Sequence, residues 1–301
     1  MPFSYPSIAM IRTALLLSAL LLLSCASPHA QLGRRIDRIL ATTDARIGVA
    51  VIAPDGECLV RCDTMLPMLS VFKFPAAVAL LDKTARERTS LTTPVRIGPE
   101  WLDRNTYSPL RDSLPATGGT LTLTDLLRYS ISQSDNIACD ILLELAGGPA
   151  GVDAYLRSRG IDGIRIVASE RTMHLATENQ RLNTARPAAV CALFDRLLRG
   201  ELLPPEETAL LRRLLEECET GREKLRAGLP AGTTLGHKTG SSDRTAEGIR
   251  LADNDAGYVL LPDGRSYCIA VFVTDSREDD AANAAVAAEV SRAAYECFIG
   301  K

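Results

Sequence analysis

Residues 46–63, RIGVAVIAPDGECLVRCD, predict a β-hairpin that decides the fold of the chain. A run rich in β-branched residues leads into the turn Pro54-Asp55-Gly56, and a second run follows it. Residues 255–276, DAGYVLLPDGRSYCIAVFVTDS, repeat this pattern around another Pro-Asp-Gly turn. Because hairpins pair their strands antiparallel, both ends of the chain are expected to build one antiparallel sheet.

Helices are expected between the hairpins and after them. Residues 70–218 are mostly helical by pattern, and a helical insert between two halves of one sheet fits best. The alanine-rich stretch 279–298 predicts a last helix, capped by Asp279 or Asp280.

The composition excludes some classes of function. The 301 residues carry a formal charge of −3 and are 46% hydrophobic, enough for one large domain or two that share a core. The acidic balance gives no reason to expect nucleic acid as a partner. The histidines, His29, His174 and His237, lack metal-ligand spacing, so we expect neither a metal nor a cofactor.

The N-terminus predicts export to the periplasm. Arg12 precedes an apolar run at 13–23, which is shorter than the about 20 residues that span a bilayer and typical of a signal peptide. The letters LLSC at 22–25 resemble a bacterial lipoprotein cleavage site, with Cys25 as the lipidated residue. The alternative is ordinary secretion, with cleavage after Ala26 or Ala30. A lipid anchor would be the sole membrane contact, and we expect a monomer.

Cysteine chemistry stays open at this level. Removing Cys25 leaves seven of eight cysteines, so at least one cannot pair within the chain. Cys58 and Cys62 lie on one predicted strand, too far apart for a direct bridge. We favour several buried thiols, although an exported protein can form disulfides.

Residues 68–83, MLSVFKFPAAVALLDK, place a lysine in an apolar helix. Ser70 and Lys73 share a helix face, and a nearby neutral amine could make the serine a nucleophile. The alternative is a lysine that extends its charged end to water. Pro75 is expected to remove a hydrogen bond and bend the helix.

Two further polar motifs follow along the chain. Ser134, Asp135 and Asn136 interrupt an apolar pattern, where they would also suit a helix N-cap. Lys238, Thr239 and Gly240 lie on a predicted strand, which could simply be an edge strand ending in a turn. In this order, Ser-x-x-Lys, Ser-Asp-Asn and Lys-Thr-Gly are the motifs of class A β-lactamases and penicillin-binding proteins.

The sequence resembles a class A serine β-lactamase from about residue 33 to the C-terminus. The resemblance implies an α/β (α+β) fold in two parts, of the β-lactamase/transpeptidase type. An antiparallel five-stranded sheet flanked by helices (31–69 and 219–301) would follow a signal peptide (1–25). An all-helical domain (70–218) would enclose the active site against it.

Glu170 distinguishes a β-lactamase from a penicillin-binding protein in this resemblance. A lactamase needs a base that activates water to release the acyl-enzyme, and Glu170 stands where class A carries it. Ala168 and His174 replace the usual Arg and Asn of this loop, a pattern similar to the PER-type, CfxA-like branch with broad cephalosporin hydrolysis. His174 would hold Glu170 by a hydrogen bond, or pack. Glu170 could otherwise be a surface carboxylate.

The resemblance also implies the roles in acylation. Ser70 would attack the lactam carbonyl, and Lys73, or Glu170 through a water, would take its proton. Ser134, helped by Lys238, would pass a proton to the leaving nitrogen. Repulsion between the two ammonium groups would favour a neutral Lys73.

Further residues would bind the intermediate and the substrate. The N–H groups of Ser70 and Ser241 would form the oxyanion hole. Asn136 would bond the amide side chain of the substrate.

A cation is expected for the substrate carboxylate. Lys238, Thr239 and Gly240 would supply part of that site, with Lys224 or Arg222 as the added cation. Tyr107 would line the entrance, or be an ordinary loop tyrosine.

The expected function is hydrolysis of penicillins and cephalosporins, giving antibiotic resistance. The alternatives are a DD-peptidase, a β-lactam sensor that stays acylated, and a hydrolase of this fold with another amide substrate. A sensor would need transmembrane segments beyond the short N-terminal run.

Overall fold

Five strands form the central sheet of the computed structural model, which describes residues 27–300. They are β1 (Arg46–Ile52), β2 (Cys58–Arg61), β8 (Leu235–Ser241), β9 (Arg250–Leu260) and β10 (Ser266–Ser276). Their order across the sheet is β2-β1-β10-β9-β8, and every neighbouring pair is antiparallel. The predicted five-stranded antiparallel sheet is therefore confirmed.

Both predicted hairpins lie in this sheet. β9 and β10 pair from Ser266 opposite Leu260 to Ser276 opposite Arg250, and Gly264 takes a φ of 87° in their turn. A positive φ suits glycine because it has no Cβ. β1 pairs with β10, so the first and last strands within residues 27–300 are neighbours.

The helices cover both faces of the sheet and fill the middle of the chain. They are α1 (Pro28–Leu40), α2 (Lys73–Glu87), α3 (Pro99–Leu102), α4 (Pro109–Ser113), α5 (Leu123–Ile131), α6 (Asn136–Leu145), α7 (Gly148–Ser158), α8 (Glu170–His174), α9 (Pro187–Leu198), α10 (Pro205–Glu216) and α11 (Asp280–Ile299). Short 3-10 helices occupy Leu69–Phe72, Thr177–Arg181 and Leu225–Gly228.

Short strand pairs in the middle of the chain were not predicted. β3 (Leu66–Pro67), β6 (Ile164–Arg165) and β7 (Thr184–Ala185) form one small sheet, and β4 (Pro94–Ile97) pairs with β5 (Gly119–Thr122). Two to four residues are too few for a period-2 pattern to register in the sequence.

Two apolar cores lie on opposite faces of the sheet. Val49 and Val271 point to the core beneath α1 and α11, whereas Ala50 and Phe272 point to the larger core shared with the helical middle. Successive strand residues face opposite sides, and both faces are covered, which explains the unbroken apolar run of β10.

Pro75 does not interrupt a helix. The sequence suggested one helix from residue 68, but a 3-10 helix precedes α2, which begins at Lys73. Pro75 is therefore in the first turn of α2, where backbone N–H groups have no partner within the helix. The proline is thus nearer the start of its helix than the sequence suggested.

The predicted domain boundaries remain a prediction, and Cys25 with the predicted leader lies outside the described residues. No helix between residues 27 and 300 has the length and apolar character needed to cross a bilayer. Within the same residues the structure forms no disulfide.

Candidate active site

A cavity of about 380 Å³ opens between β8 and the helical middle of the chain. Most of the residues singled out in the sequence line it. They are Ser70, Tyr107, Ser134, Asn136, Glu170, His174, Lys224, Thr239, Gly240 and Ser241. Lys73 and Lys238 lie just beneath this lining and are buried.

Ser70 is presented by a backbone held in an unusual conformation. Leu69, before it, has a φ of 48°, in the left-handed region that costs a non-glycine residue about 1–3 kcal/mol. The surrounding backbone is fixed on both sides: Met68 donates its N–H to Asn183 O at 2.9 Å, and the Asn254 amide donates to Met68 O at 3.1 Å. These bonds hold Ser70 at the cavity wall.

Lys73 is buried and fully satisfied by three acceptors. Its Nζ lies 2.6 Å from Ser134 O, 2.6 Å from Asn136 Oδ1 and 3.0 Å from Glu170 Oε1. The three oxygens surround the amine on its open side, so Lys73 is held in a fixed position between Ser134, Asn136 and Glu170. The neutral form of Lys73 stays a prediction, and the structure places its Nζ against Glu170.

Lys238, the other lysine beneath the cavity lining, has a lowered pKa. Burial lowers the pKa of Lys238 to about 8, the nearby Cys218 opposes that change, and Lys73 adds to it. Lys238 Nζ donates to Ser134 Oγ at 2.8 Å and to Thr239 O at 2.9 Å. Lys238 and Ser134 are thus in direct hydrogen-bond contact at the cavity wall, as the predicted proton relay requires.

Glu170 accepts a hydrogen bond from the predicted nucleophile. Ser70 Oγ lies 3.3 Å from Glu170 Oε1, the oxygen that also faces Lys73. Ser169 caps the helix α8 that begins at Glu170. Glu170 is buried against the cavity, so it is not the surface carboxylate that the sequence also allowed.

Asp140 holds the backbone of Glu170 and was missed in the sequence. Its carboxylate accepts the N–H groups of Glu170 at 2.7 Å and Arg171 at 3.0 Å, and pairs with Arg104 at 3.2 Å. Burial, reinforced by the charge of Glu170, raises the pKa of Asp140 to about 6. An acid inside the apolar run 136–145 was the signal that could have revealed it.

His174 contacts Glu170 through the backbone. Its Nδ1 lies 3.0 Å from Glu170 O, and its Nε2 lies 3.1 Å from Thr106 Oγ1. Thr106 also accepts a bond from Asn136 Nδ2 at 2.8 Å. Both amide atoms of Asn136 are therefore engaged by protein, while Tyr107 is 57% exposed at the mouth of the cavity.

Gly240 lets β8 approach the nucleophile. A Cβ at this position would lie 2.8 Å from Ser70 N and 2.9 Å from Val71 N, closer than side chains approach backbone. Glycine therefore brings the end of β8, with Ser241, against the N–H of Ser70. This proximity suits the predicted oxyanion hole.

Lys224 is a cation whose charge is already paired. Its Nζ lies 2.6 Å from Asp253 Oδ1 and 2.9 Å from Ser241 Oγ, and its side chain is buried. Asp253, on β9, was missed by sequence reasoning. Arg222 is exposed and outside the cavity lining.

No group of His, Cys, Asp or Glu side chains among residues 27–300 is placed to hold a metal ion. The site consists of serines, lysines, an acid and backbone N–H groups, which is the equipment of acyl transfer through a serine.

Comparison with known proteins gives the class of the molecule. Residues 31–298 match the model of the β-lactamase enzyme family. A β-lactamase of Bacteroides uniformis is 44% identical over 275 residues, covering 91% of this chain and 93% of its own. The extended-spectrum β-lactamase PER-1 of Pseudomonas aeruginosa is 36% identical, covering 90% of this chain and 88% of its own.

A solved structure agrees with both. A representative class A β-lactamase from Bacteroides cellulosilyticus superposes with a TM-score of 0.88 at 41% identity, covering 92% of this chain and 100% of that one. The fold and the site define a serine hydrolase, and the chain belongs to the β-lactamase enzyme family, class A. It is a serine β-lactamase that hydrolyses β-lactams and gives antibiotic resistance.

Proposed function

We propose that the chain hydrolyses its substrates through an acyl-enzyme on Ser70, with Glu170 as the base of deacylation. The observation that carries this proposal is the shared oxygen of Glu170, which contacts Ser70 Oγ at 3.3 Å and Lys73 Nζ at 3.0 Å. Glu170, or Lys73 after it yields a proton to Glu170, takes the proton of Ser70. The oxyanion forms against the N–H groups of Ser70 and Ser241.

Ser134 completes acylation in this proposal. Its hydroxyl gives a proton to the departing lactam nitrogen and is reprotonated along the bond from Lys238. Glu170 then activates a water for attack on the ester. Thr239, together with the Lys238 and Lys224 charges, receives the substrate carboxylate, and Asn136 and Tyr107 border the side chain of the substrate.

The substrate range of this chain is proposed to extend to broad-spectrum cephalosporins. The PER-type pattern at Ala168 and His174 supports it, as does the relative whose name includes extended-spectrum. The experiment is turnover of a chromogenic cephalosporin by protein from Ser27 onward, which keeps the whole of α1 and its cap. A stoichiometric adduct without turnover would instead indicate a sensor, and no acylation of Ser70 would refute the proposal.

The deacylation role has its own test. Glu170→Gln should accumulate acyl-enzyme, seen as a persistent mass increase of the intact protein after mixing with substrate. Glu178→Gln, on the same loop but exposed and paired with Arg181, is the matched control and should turn over normally. Wild-type turnover by Glu170→Gln would contradict the proposed base.

The protein is further proposed to act as a monomer in the periplasm. The apolar run at 13–23 and the letters LLSC at 22–25 support export with a lipid on Cys25. Cys25→Ser should move the protein from the membrane fraction to the soluble periplasmic fraction. An unchanged distribution would favour cleavage as an ordinary secreted protein.

A further inference from the structure

Behind the cavity, a cysteine, a histidine and an aspartate lie in a row that the mechanism does not use. His237 precedes Lys238 on β8 and is buried, and its Nδ1 lies 2.8 Å from Asp255 Oδ1 on β9. The second oxygen of Asp255 accepts the N–H of Leu225 at 3.2 Å. Cys218, after α10, hydrogen-bonds the same imidazole.

This arrangement makes the thiol of Cys218 acidic. Burial would raise its pKa, but the hydrogen bond and charge of His237, and then Lys238, lower it to about 7. Burial would lower the pKa of His237, but the charge and hydrogen bond of Asp255 outweigh it and raise the pKa to about 10. Both changes favour a thiolate beside an imidazolium, the arrangement of nucleophilic cysteines.

Four other thiols among the described residues have raised pKa values instead. Burial raises the pKa of Cys139, Cys191 and Cys268, which are all inside the cores. Burial, then the charge of Asp63, raises the pKa of the exposed Cys58. Cys218, by contrast, is half-buried, so its side chain is not sealed in the core.

Cys218 also contacts the wall of the active site. Its Sγ lies 3.4 Å from Thr220 Oγ1, which lies 2.6 Å from Thr239 Oγ1. Both threonines line the cavity, whereas Cys218, His237 and Asp255 do not. A group attached to Sγ would compete with Thr220 for this space and disturb its bond to Thr239.

We propose that Cys218, activated by His237 and Asp255, is a site of reversible S-thiolation by small disulfides, and that the adduct suppresses β-lactam hydrolysis. The thiolate attacks one sulfur of the disulfide, whose S–S bond breaks as the new S–S bond to Cys218 forms. The other half leaves as a thiolate and takes a proton from solvent. The disulfide is the only oxidant, and its sulfur is reduced as Cys218 is oxidised.

The test uses protein in which Cys58, Cys62 and Cys297 are replaced by serine. It is treated at pH 7 with bis(2-hydroxyethyl) disulfide, and intact mass and peptide mapping locate the adduct. We expect one mercaptoethanol unit on Cys218. Cephalosporin hydrolysis should fall about tenfold or more, because small displacements at an active site are costly. Dithiothreitol should remove the adduct and restore hydrolysis. Adding Cys218→Ser should prevent the adduct, so that treatment with the disulfide leaves the hydrolysis rate of this variant unchanged.

A second variant tests the activation. His237→Gln, checked for folding by its melting curve, should form the adduct about tenfold more slowly at pH 7 because the thiolate is scarcer. An unchanged rate would overturn the role of His237. The mass readout needs no turnover, so it is independent of the proposed mechanism. Failure to modify Cys218 in folded protein, or an adduct with full hydrolysis, would overturn the proposal.

Discussion

Asp140 shows how one buried acid can position a reacting group that it does not touch. Its carboxylate accepts two backbone N–H groups where α8 begins, and so fixes the direction of Glu170. Asp140→Asn keeps the shape but directs an NH₂ group at one of these donors. We expect kcat to fall about tenfold with acyl-enzyme accumulating, because misplaced groups lose catalytic geometry. Rapid-quench mass spectrometry measures it, and unchanged deacylation would contradict the positioning role.

The pKa of Asp140 also predicts a dependence of stability on pH. The pKa in the folded state, about 6, exceeds the ordinary value of 3.8, so the folded state binds the proton more tightly than the unfolded state. The free energy of unfolding therefore falls as pH rises between these values. Urea unfolding at several pH values should show wild type losing stability relative to Asp140→Asn over this window. A constant difference would exclude the shift.

Lys238 predicts the alkaline limit of activity. Its pKa, lowered to about 8 mainly by burial, means that the ammonium group is lost as pH rises through 8. Because the charged form is proposed to bind the substrate carboxylate, kcat/KM should fall above this pH. Lys238→Arg, which stays charged, should move that limit upward. The measurement is a pH profile of cephalosporin hydrolysis; Lys83→Arg, at a half-buried site outside the cavity lining, should leave the profile unchanged.

At the scale of elements, the residue that caps α6, at its junction with α5, lies between two residues of the active site. Asp135 caps α6 by accepting the N–H of Ala138 at 2.8 Å, and its other oxygen accepts Leu110 N at 2.7 Å and Ser108 Oγ at 2.8 Å. This explains the motif that first looked like a plain N-cap: it is one, and the cap orients Ser134 and Asn136 on either side.

Asp135→Ala should therefore be costly. It removes a cap and leaves the buried N–H of Leu110 unpaired, together about 2–4 kcal/mol of the free energy of unfolding. Urea denaturation measures the loss. Asp279→Ala is the matched control, since Asp279 caps α11 by the same bond at 2.8 Å but at an exposed site, and it should lose clearly less. Equal losses would show that the buried network around Asp135 contributes nothing.

At the scale of the whole molecule, the sequence predicts helices and strands with long regular patterns. It does not predict short segments or contacts between residues that are distant in the chain. The hairpins and the last helix were predictable because their patterns extend over many residues. The start of α2 at Lys73 was not, since a 3-10 helix and an α-helix share similar spacing over one turn. Asp253 and its bond to Lys224 join β9 to a loop, which no local pattern encodes.

The packing of the last helix on the outer face of the sheet gives a prediction far from the active site. Phe298 on α11 is 1% exposed and packs on Tyr267 of β10 with ring centroids 5.1 Å apart. Phe298→Ala should lower the free energy of unfolding by about 3–5 kcal/mol through lost burial and a cavity. Since α11 lies on the sheet face opposite the helical middle, kcat in the absence of denaturant should stay at the wild-type value.

Urea unfolding followed by both fluorescence and cephalosporin hydrolysis checks this last prediction. The urea midpoints measured by fluorescence and by hydrolysis should shift together. Ser70 and Lys238 are distant in the chain, and the folded sheet brings them together. Glu296→Ala, which removes an exposed pair with Arg35, is the control and should leave the midpoint nearly unchanged. A reduced kcat in Phe298→Ala without urea would show instead that the outer core shapes the site.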